Sequence, residues 1–297
     1  MARTRLLAHR GRSWAEERGA IPFLLPTLAV LCLVSLYPLI RGVSRVFYVY
    51  RALTRQDVFS GFENFVLLFK DPVFFRAFGN SLVWTVVSVA AMFFISYVLA
   101  TLLNSRHLRF RRFLRATTLI PWAIPGVVVS LIWRYIFLSD GPANAFLSAV
   151  GVANPPAWLT NPQLALWTCI IANIWMGLPF VTIMLLAGLQ SVEGDILEAA
   201  AIDGASYLQS QLCVVMPSIK KVILIVLTLE AIWTFNSFDI VFVMTKGGPG
   251  SASMTLPLYA YQNAFMYYQA GYGAAIGVVI LAVLLLAVVL YIREVLQ

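Results

Sequence analysis

Histidine is almost absent from this 297-residue chain, and charge is scarce. The two histidines, His9 and His107, both sit in basic segments. A histidine-based zinc site or a Ser/His/Asp triad has too little to be built from. The three cysteines, Cys32, Cys169 and Cys213, lie far apart in apolar surroundings, without metal-ligand spacing or a disulfide framework. Lysine occurs four times, at Lys70, Lys220, Lys221 and Lys246, and none follows a glycine. A phosphate loop ending in Gly-Lys-Ser/Thr is therefore missing, and the chain binds no ATP in that way. No metal, cofactor or catalytic constellation is expected in it. Charged residues make up 11% of the chain, against about 25% in an ordinary soluble domain.

The missing charge has gone into long apolar runs, and 61% of the residues are hydrophobic. Six segments are long enough, or nearly so, to cross a bilayer, at about 20–40, 81–103, 116–137, 164–188, 220–245 and 272–292. Within hydrocarbon the backbone must satisfy its own hydrogen bonds, so such spans are helices. The expected fold is an all-α integral membrane protein of about six transmembrane helices. Residues 1–19 form a basic tail, and 20–297 form a single membrane domain. Pro26, Pro121, Pro125 and Pro179 fall inside the spans, as kinks or as tolerated prolines. The arginine-rich start resembles a signal peptide, but no small-residue cleavage site follows, which points to an uncleaved first span.

Net charge is +8. The arginines follow the spans rather than forming a nucleic-acid surface, and no nucleic acid partner is expected. The tail carries Arg3, Arg5, Arg10, Arg12 and Arg18, and the 104–115 loop carries Arg106, Arg109, Arg111, Arg112 and Arg115. The 138–163 loop has no Lys or Arg, and the 246–271 loop has only Lys246. This asymmetry predicts a multi-pass membrane protein with both termini in the cytoplasm. Residues 41–80 object, with six basic residues in a loop that must lie outside. A connection of that length is weakly bound by the rule.

Residues 189–219 then face inward, with Glu193, Asp195, Glu198 and Asp203 but no Lys or Arg. Such a loop does not exist to set topology. GDILEAAAI reads as a short helix, with Ala199, Ala200 and Ala201 giving propensity without bulk. Asp203-Gly204 reads as a turn, with Gly204 at positive φ and Asp203 placed to cap the next helix. Ser206 to Val215 fits that second helix, closed before Pro217. The shape is either a rigid knob offered to a partner or an ordinary hairpin at the membrane interface.

Ionisable residues inside spans are functional candidates. The fifth span offers Glu230 and Asp239, nine residues apart and on different faces. Asn236 and Asp239 are expected to face a pathway, with Trp233, Phe235 and Phe238 as aromatic neighbours. Amide and carboxylate groups suit sugar hydroxyls, and aromatic faces suit C–H patches. The same residues equally suit a hydrogen-bond network between helices. Arg134 is expected to snorkel, ahead of pairing with Asp239, and Gly247-Gly248-Pro249-Gly250 to turn at the outer surface.

The stretch E-A-A-x-x-D-G-A, with a proline twelve residues on, is similar to the signature loop of permease subunits of binding-protein-dependent ABC importers. The matching residues are Glu198, Ala199, Ala200, Asp203, Gly204, Ala205 and Pro217. A second stretch, IWTFNSFDIVFVMTKGGPGSASMTLPLYAYQNAF, resembles the carbohydrate, maltose-type branch of that family. Gln211 stands where the family usually has an aromatic residue, and Lys221 where a second proline is frequent, so the second short helix should pack in its own way. The resemblance implies that the loop is a coupling helix seated on an ATPase. It also implies a second homologous permease, two ABC ATPase subunits that hold ATP and Mg, and an extracytoplasmic binding protein that delivers a carbohydrate. The rival expectation is an ion-gradient-driven homodimeric secondary transporter, for which Glu230 is the one good mid-membrane group.

Overall fold

The structure, a computed structural model, describes residues 24–51, 56–105 and 108–296. The basic tail, the first residues of span one, Arg55, Arg106 and His107 lie outside the described residues. The first span is α1 (Leu24–Arg45), which widens to a π-turn at Cys32–Leu36. A hairpin of β1 (Tyr48–Arg51) and β2 (Gln56–Phe59) follows, then α2 (Glu63–Leu68) and α3 (Pro72–Asn104). Next come α4 (Arg111–Ala123), α5 (Gly126–Ile136), α6 (Pro142–Ala149) and α7 (Ala165–Gln190). The chain continues through α8 (Gly194–Ile202), α9 (207–218), α10 (Lys220–Asn236) and α11 (Asp239–Met244). It ends with α12 (Leu256–Tyr261) and α13 (Ala270–Leu296).

Five of these helices, with α10 and α11 taken together, are long and apolar enough to cross a membrane, and α4 with α5 forms a sixth, broken span. Of the two readings of its prolines, the 116–137 segment follows the break rather than the tolerated proline. It bends by 92° at Ile124-Pro125. The cause is local: Ile124 takes an extended ψ of 131°, as residues before proline do. At 1.5 Å per residue α5 is about 16 Å long, too short to cross alone. Pro179, by contrast, is carried inside the continuous α7.

The long helix α3 is the spine, and it packs along α7. Two apolar cores sit at successive levels of it. Phe74, Ala77 and Trp84 belong to one, with Ile170, Phe235, Ile240, Leu258 and Ile276. Met92, Tyr97, Ala100 and Leu103 belong to the other, with Leu185, Val215, Ile219 and Val226. Many large apolar side chains on the outward faces are exposed, Leu33 and Val86 among them, as a surface solvated by lipid requires.

Three of the six basic residues of 41–80 find another explanation here. Arg41 and Arg45 lie on the end of α1, and Arg76 lies in the first turns of α3. The true connection is shorter, and its charges serve as ties. Arg45 pairs with Asp57, and Arg76 Nη1 donates to the Gly250 carbonyl at 2.9 Å. Asn80 Nδ2 donates to the carbonyls of Ser251, Ala252 and Met254 at 2.9–3.2 Å. These bonds fasten the Gly-Gly-Pro-Gly turn to α3.

Asp71 caps α3, its Oδ1 accepting from the Val73 amide at 2.8 Å. Its Oδ2 accepts from the hydroxyls of Tyr272, at 2.6 Å, and Tyr259. Burial pushes the Asp71 carboxyl up, but the bonds from Tyr259, Tyr272 and the backbone outweigh it and hold it below 3.8. The same contact and burial push the Tyr259 hydroxyl up to about 12. Because the folded value is depressed, this stability is present above the unfolded value and lost as pH falls through the folded one. Asp71→Asn is therefore expected to lower the unfolding midpoint at neutral pH and to leave it nearly unchanged at an acid pH where the folded-state carboxyl is already protonated. Tryptophan-fluorescence melts across pH check this, and an equal loss at both pH values refutes it.

Candidate functional site: an interhelical cavity and an exposed hairpin

Asn173, Met176, Gly177 and Phe180 recur at i, i+3, i+4 and i+7 on α7. Glu230, Thr234 and Ser237 follow the same i, i+4, i+7 spacing on α10 and its end, with Trp233 filling i+3. The two stripes face each other across a cavity of about 280 Å³, which Trp122 of α4 closes on a third side. Phe180 stacks with Trp122 at 6.1 Å between centroids and meets Trp233 edge-on at 4.9 Å. Glu230 and Asn173 are each only 6% exposed, and the Asn173 Nδ2 has no partner. Gly177 is required by space: a Cβ there would stand 2.6 Å from Met92 Sδ and 2.7 Å from Glu230 Oε1.

The cavity opens where the fifth span breaks. Ser237 takes an extended ψ of 125° between α10 and α11. The buried Trp84 indole donates at 2.8 Å to the Thr234 carbonyl, which also accepts the Ser237 amide at 3.0 Å. Irregular backbone at membrane depth is tolerated where it is packed in protein or lines a cavity. A polar floor beneath three aromatic rings can hold a molecule that presents hydroxyls and C–H faces together.

Of the pathway residues expected from sequence, Trp233 lines this cavity. Asp239 lies beside it as the first residue of α11, over Gly126 and next to Met176. Asn236 is exposed and donates back to the Ile232 carbonyl at 3.1 Å. Phe238 stacks on Phe242 at 4.8 Å and meets Tyr261 at a tilt, 4.9 Å between centroids, in a neighbouring aromatic cluster. Phe235 is a correction: it is 3% exposed and packed in the core. Two residues along a helix are about 200° apart, so Phe235 turns away when Trp233 faces the cavity. Arg134 forms no ion pair with Asp239 among the described residues; its Nη1 donates to the Val243 carbonyl at 3.3 Å. Asn173, Thr234 and the α7 stripe escaped the sequence reading, although the doubled i, i+3, i+4, i+7 spacing was there to find.

The hairpin of α8 and α9 projects from the inner core. Glu198 lies mid-helix and is exposed, as is Ala199, whereas Ala200 is buried. Gly204 has φ +78°, and the Gly204 and Ala205 amides donate to the carbonyls of Ala201 and Ala200 at 3.1 and 3.0 Å. This is the paired bonding that ends a helix on a left-handed glycine. Asp203 ends α8 and does not cap the next helix, which corrects the sequence expectation. Ser206 caps α9, in a reciprocal bond with Gln209 that satisfies two orphan amides. Nor does α9 close before Pro217. A π-turn at Ser210–Val215 precedes the proline, and the helix runs to Ser218. The hairpin tip offers Ile202, 86% exposed, with Tyr207 and Leu208 beside the acids.

Gln211, where an aromatic was the usual choice, accepts a hydrogen bond from the Tyr97 hydroxyl at 2.8 Å. Val215 and Ile219 anchor the same helix in the inner core. Tyr97→Phe leaves the Gln211 acceptor unmatched, at a cost of about 1–3 kcal/mol. Amide exchange in 207–218 is expected to speed up while that in α13 stays as it was; uniform change across the chain would disprove a local tie.

The chain belongs to the family of binding-protein-dependent transport system inner membrane components, whose model matches residues 92–297. It is thus the membrane-spanning permease subunit of an ABC importer, and ATP hydrolysis is carried out by a separate subunit. Membership displaces the ion-driven homodimer. The chain is similar to the trehalose/maltose transport system permease protein MalF of Thermococcus litoralis, at 33% identity over 94% of both chains. It is similar to the sulfoquinovosyl glycerol transport system permease protein SmoG of Agrobacterium fabrum, at 32% identity over 92% of this chain and 89% of that one. Among solved structures it matches a bacterial ABC transporter involved in import of the acidic polysaccharide alginate. There the TM-score is 0.79 and the identity 25%, over 94% of this chain and 98% of that one.

Proposed function

We infer that this chain forms, with a second homologous permease, the transmembrane pathway of an ATP-driven sugar importer. Cargo is a sugar or related polyol delivered by an extracytoplasmic binding protein. Two ABC ATPase subunits, which hold ATP and Mg, dock inside, one of them on the α8–α9 hairpin. The observation that carries the reading is the pairing of two sites in one chain: an exposed, acid-rimmed hairpin at one end and a polar, aromatic-walled cavity at the break of the fifth span.

Glu198 and Ala199 form the contact face of the hairpin, with Ala200 packed beneath them, and Asp203, Gly204 and Ala205 set its turn. Pro217 lies where α9 returns to the bundle. ATP binding draws the ATPases together, and the hairpin, held by Gln211 and Val215, moves the spans with it. The cavity then alternates between the two sides, with Trp233 and Asp239 on its route and Asn236 and Phe238 farther along the same span. Both termini lie in the cytoplasm, residues 1–19 are a cytoplasmic tail, and 20–297 are the permease domain with its coupling loop at 189–219.

A C-terminally tagged chain, purified gently from native membranes, is expected to bring a P-loop ATPase and a second permease, identified by mass spectrometry. Recovery of the chain alone, or only with itself, would overturn the assembly.

A further inference from the structure

Among the residues lining the cavity, Glu230 is the one formal charge. It forms no hydrogen bond or ion pair among the described residues. A carboxylate withdrawn from water is costly unless donors or a cation meet it. Gly177 leaves the gap in which the group sits, so the fold makes room for this carboxylate rather than merely tolerating it.

Nothing nearby reverses the sign. Asp239 adds a second carboxylate at the edge, where a Cβ on Gly126 would stand 3.3 Å from Asp239 Oδ2 and 3.7 Å from the wall residue Met176. Arg134 lines a different cavity and spends a guanidinium hydrogen on Val243. The rings of Trp122, Phe180 and Trp233 present electron-rich faces, which attract C–H groups and cations and repel anions. The Asn173 amide is a fully buried donor without a partner.

Resting on the reading of the cavity as a sugar site, we propose that Glu230 is its specificity-determining charge. It accepts hydrogens from hydroxyl or ammonium groups of uncharged and amino-substituted sugars, and it turns away anionic sugars such as uronates.

The test uses the assembled importer in lipid nanodiscs without its binding protein. Tryptophan fluorescence is followed while D-glucose, D-glucosamine and D-glucuronate are titrated, three probes that share a ring and differ in charge. Glucose and glucosamine are expected to bind, and glucuronate to bind at least about tenfold more weakly than either. Glu230→Gln is expected to close most of that gap. Glucuronate binding to the wild-type importer as tightly as glucose overturns this inference while leaving the cavity a sugar site. A gap undiminished in Glu230→Gln overturns the role of Glu230. Failure of all three probes to bind removes the sugar cavity itself, and this inference with it.

Discussion

Gly204→Pro is expected to abolish uptake while leaving the chain in the membrane. Gly204 sits at φ +78°, and its amide donates to the Ala201 carbonyl at 3.1 Å. Proline locks φ near −65° and removes that donor, at a cost of about 3 kcal/mol or more. The substitution lies in an exposed turn, so the spans insert as before and the damage falls on the angle between α8 and α9. Gly204→Ala is the graded control. Nothing lies within 4 Å of a Cβ there, so only the left-handed penalty of about 1–2 kcal/mol applies. Glu198→Lys probes the same surface by charge: the residue is exposed, and its reversal should block uptake through the docking contact. Cargo uptake in cells, with the chain quantified in the membrane fraction, checks both. Wild-type uptake by either Gly204→Pro or Glu198→Lys would sink the coupling role.

Gly177→Leu should stop transport from the other end of the molecule. Even a Cβ at 177 meets Met92 and Glu230 at 2.6–2.7 Å. An isobutyl group must therefore push into the cavity or into α3, and overpacking of that kind costs about 1–3 kcal/mol. Uptake should fall to background, while the ATPase subunits still co-purify, because the hairpin lies at a different level of the bundle. Gly177→Ala should give an intermediate loss, since Met92 and Glu230 can yield at their flexible ends. If Gly177→Leu transports normally, the cargo does not pass this cavity.

Much of the fold was legible because lipid imposes simple rules. Length and hydropathy located the spans, and the alanine-rich stretch with Asp203-Gly204 located the hairpin. Cavity residues were read less well. Phe235 and Trp233 look alike as apolar letters on one span, yet one packs in the core and the other lines the cavity. The difference is a helical phase, visible only once a partner helix defines which face is inside. Asp203 was expected to cap the next helix, a role that Ser206 fills. The left-handed Gly204 decided it by ending α8 at Asp203, which left Ser206 to begin α9.

By itself the sequence determined an integral membrane protein, its six apolar segments and the helical hairpin, since each follows from composition or from contacts within a few residues. Only the tertiary structure decided that Gly177 leaves room for Glu230. It also decided that two stripes on α7 and α10 face each other. Those features depend on distant segments meeting, and in hydrocarbon no local pattern of apolar residues distinguishes the face that meets lipid from the face that meets protein.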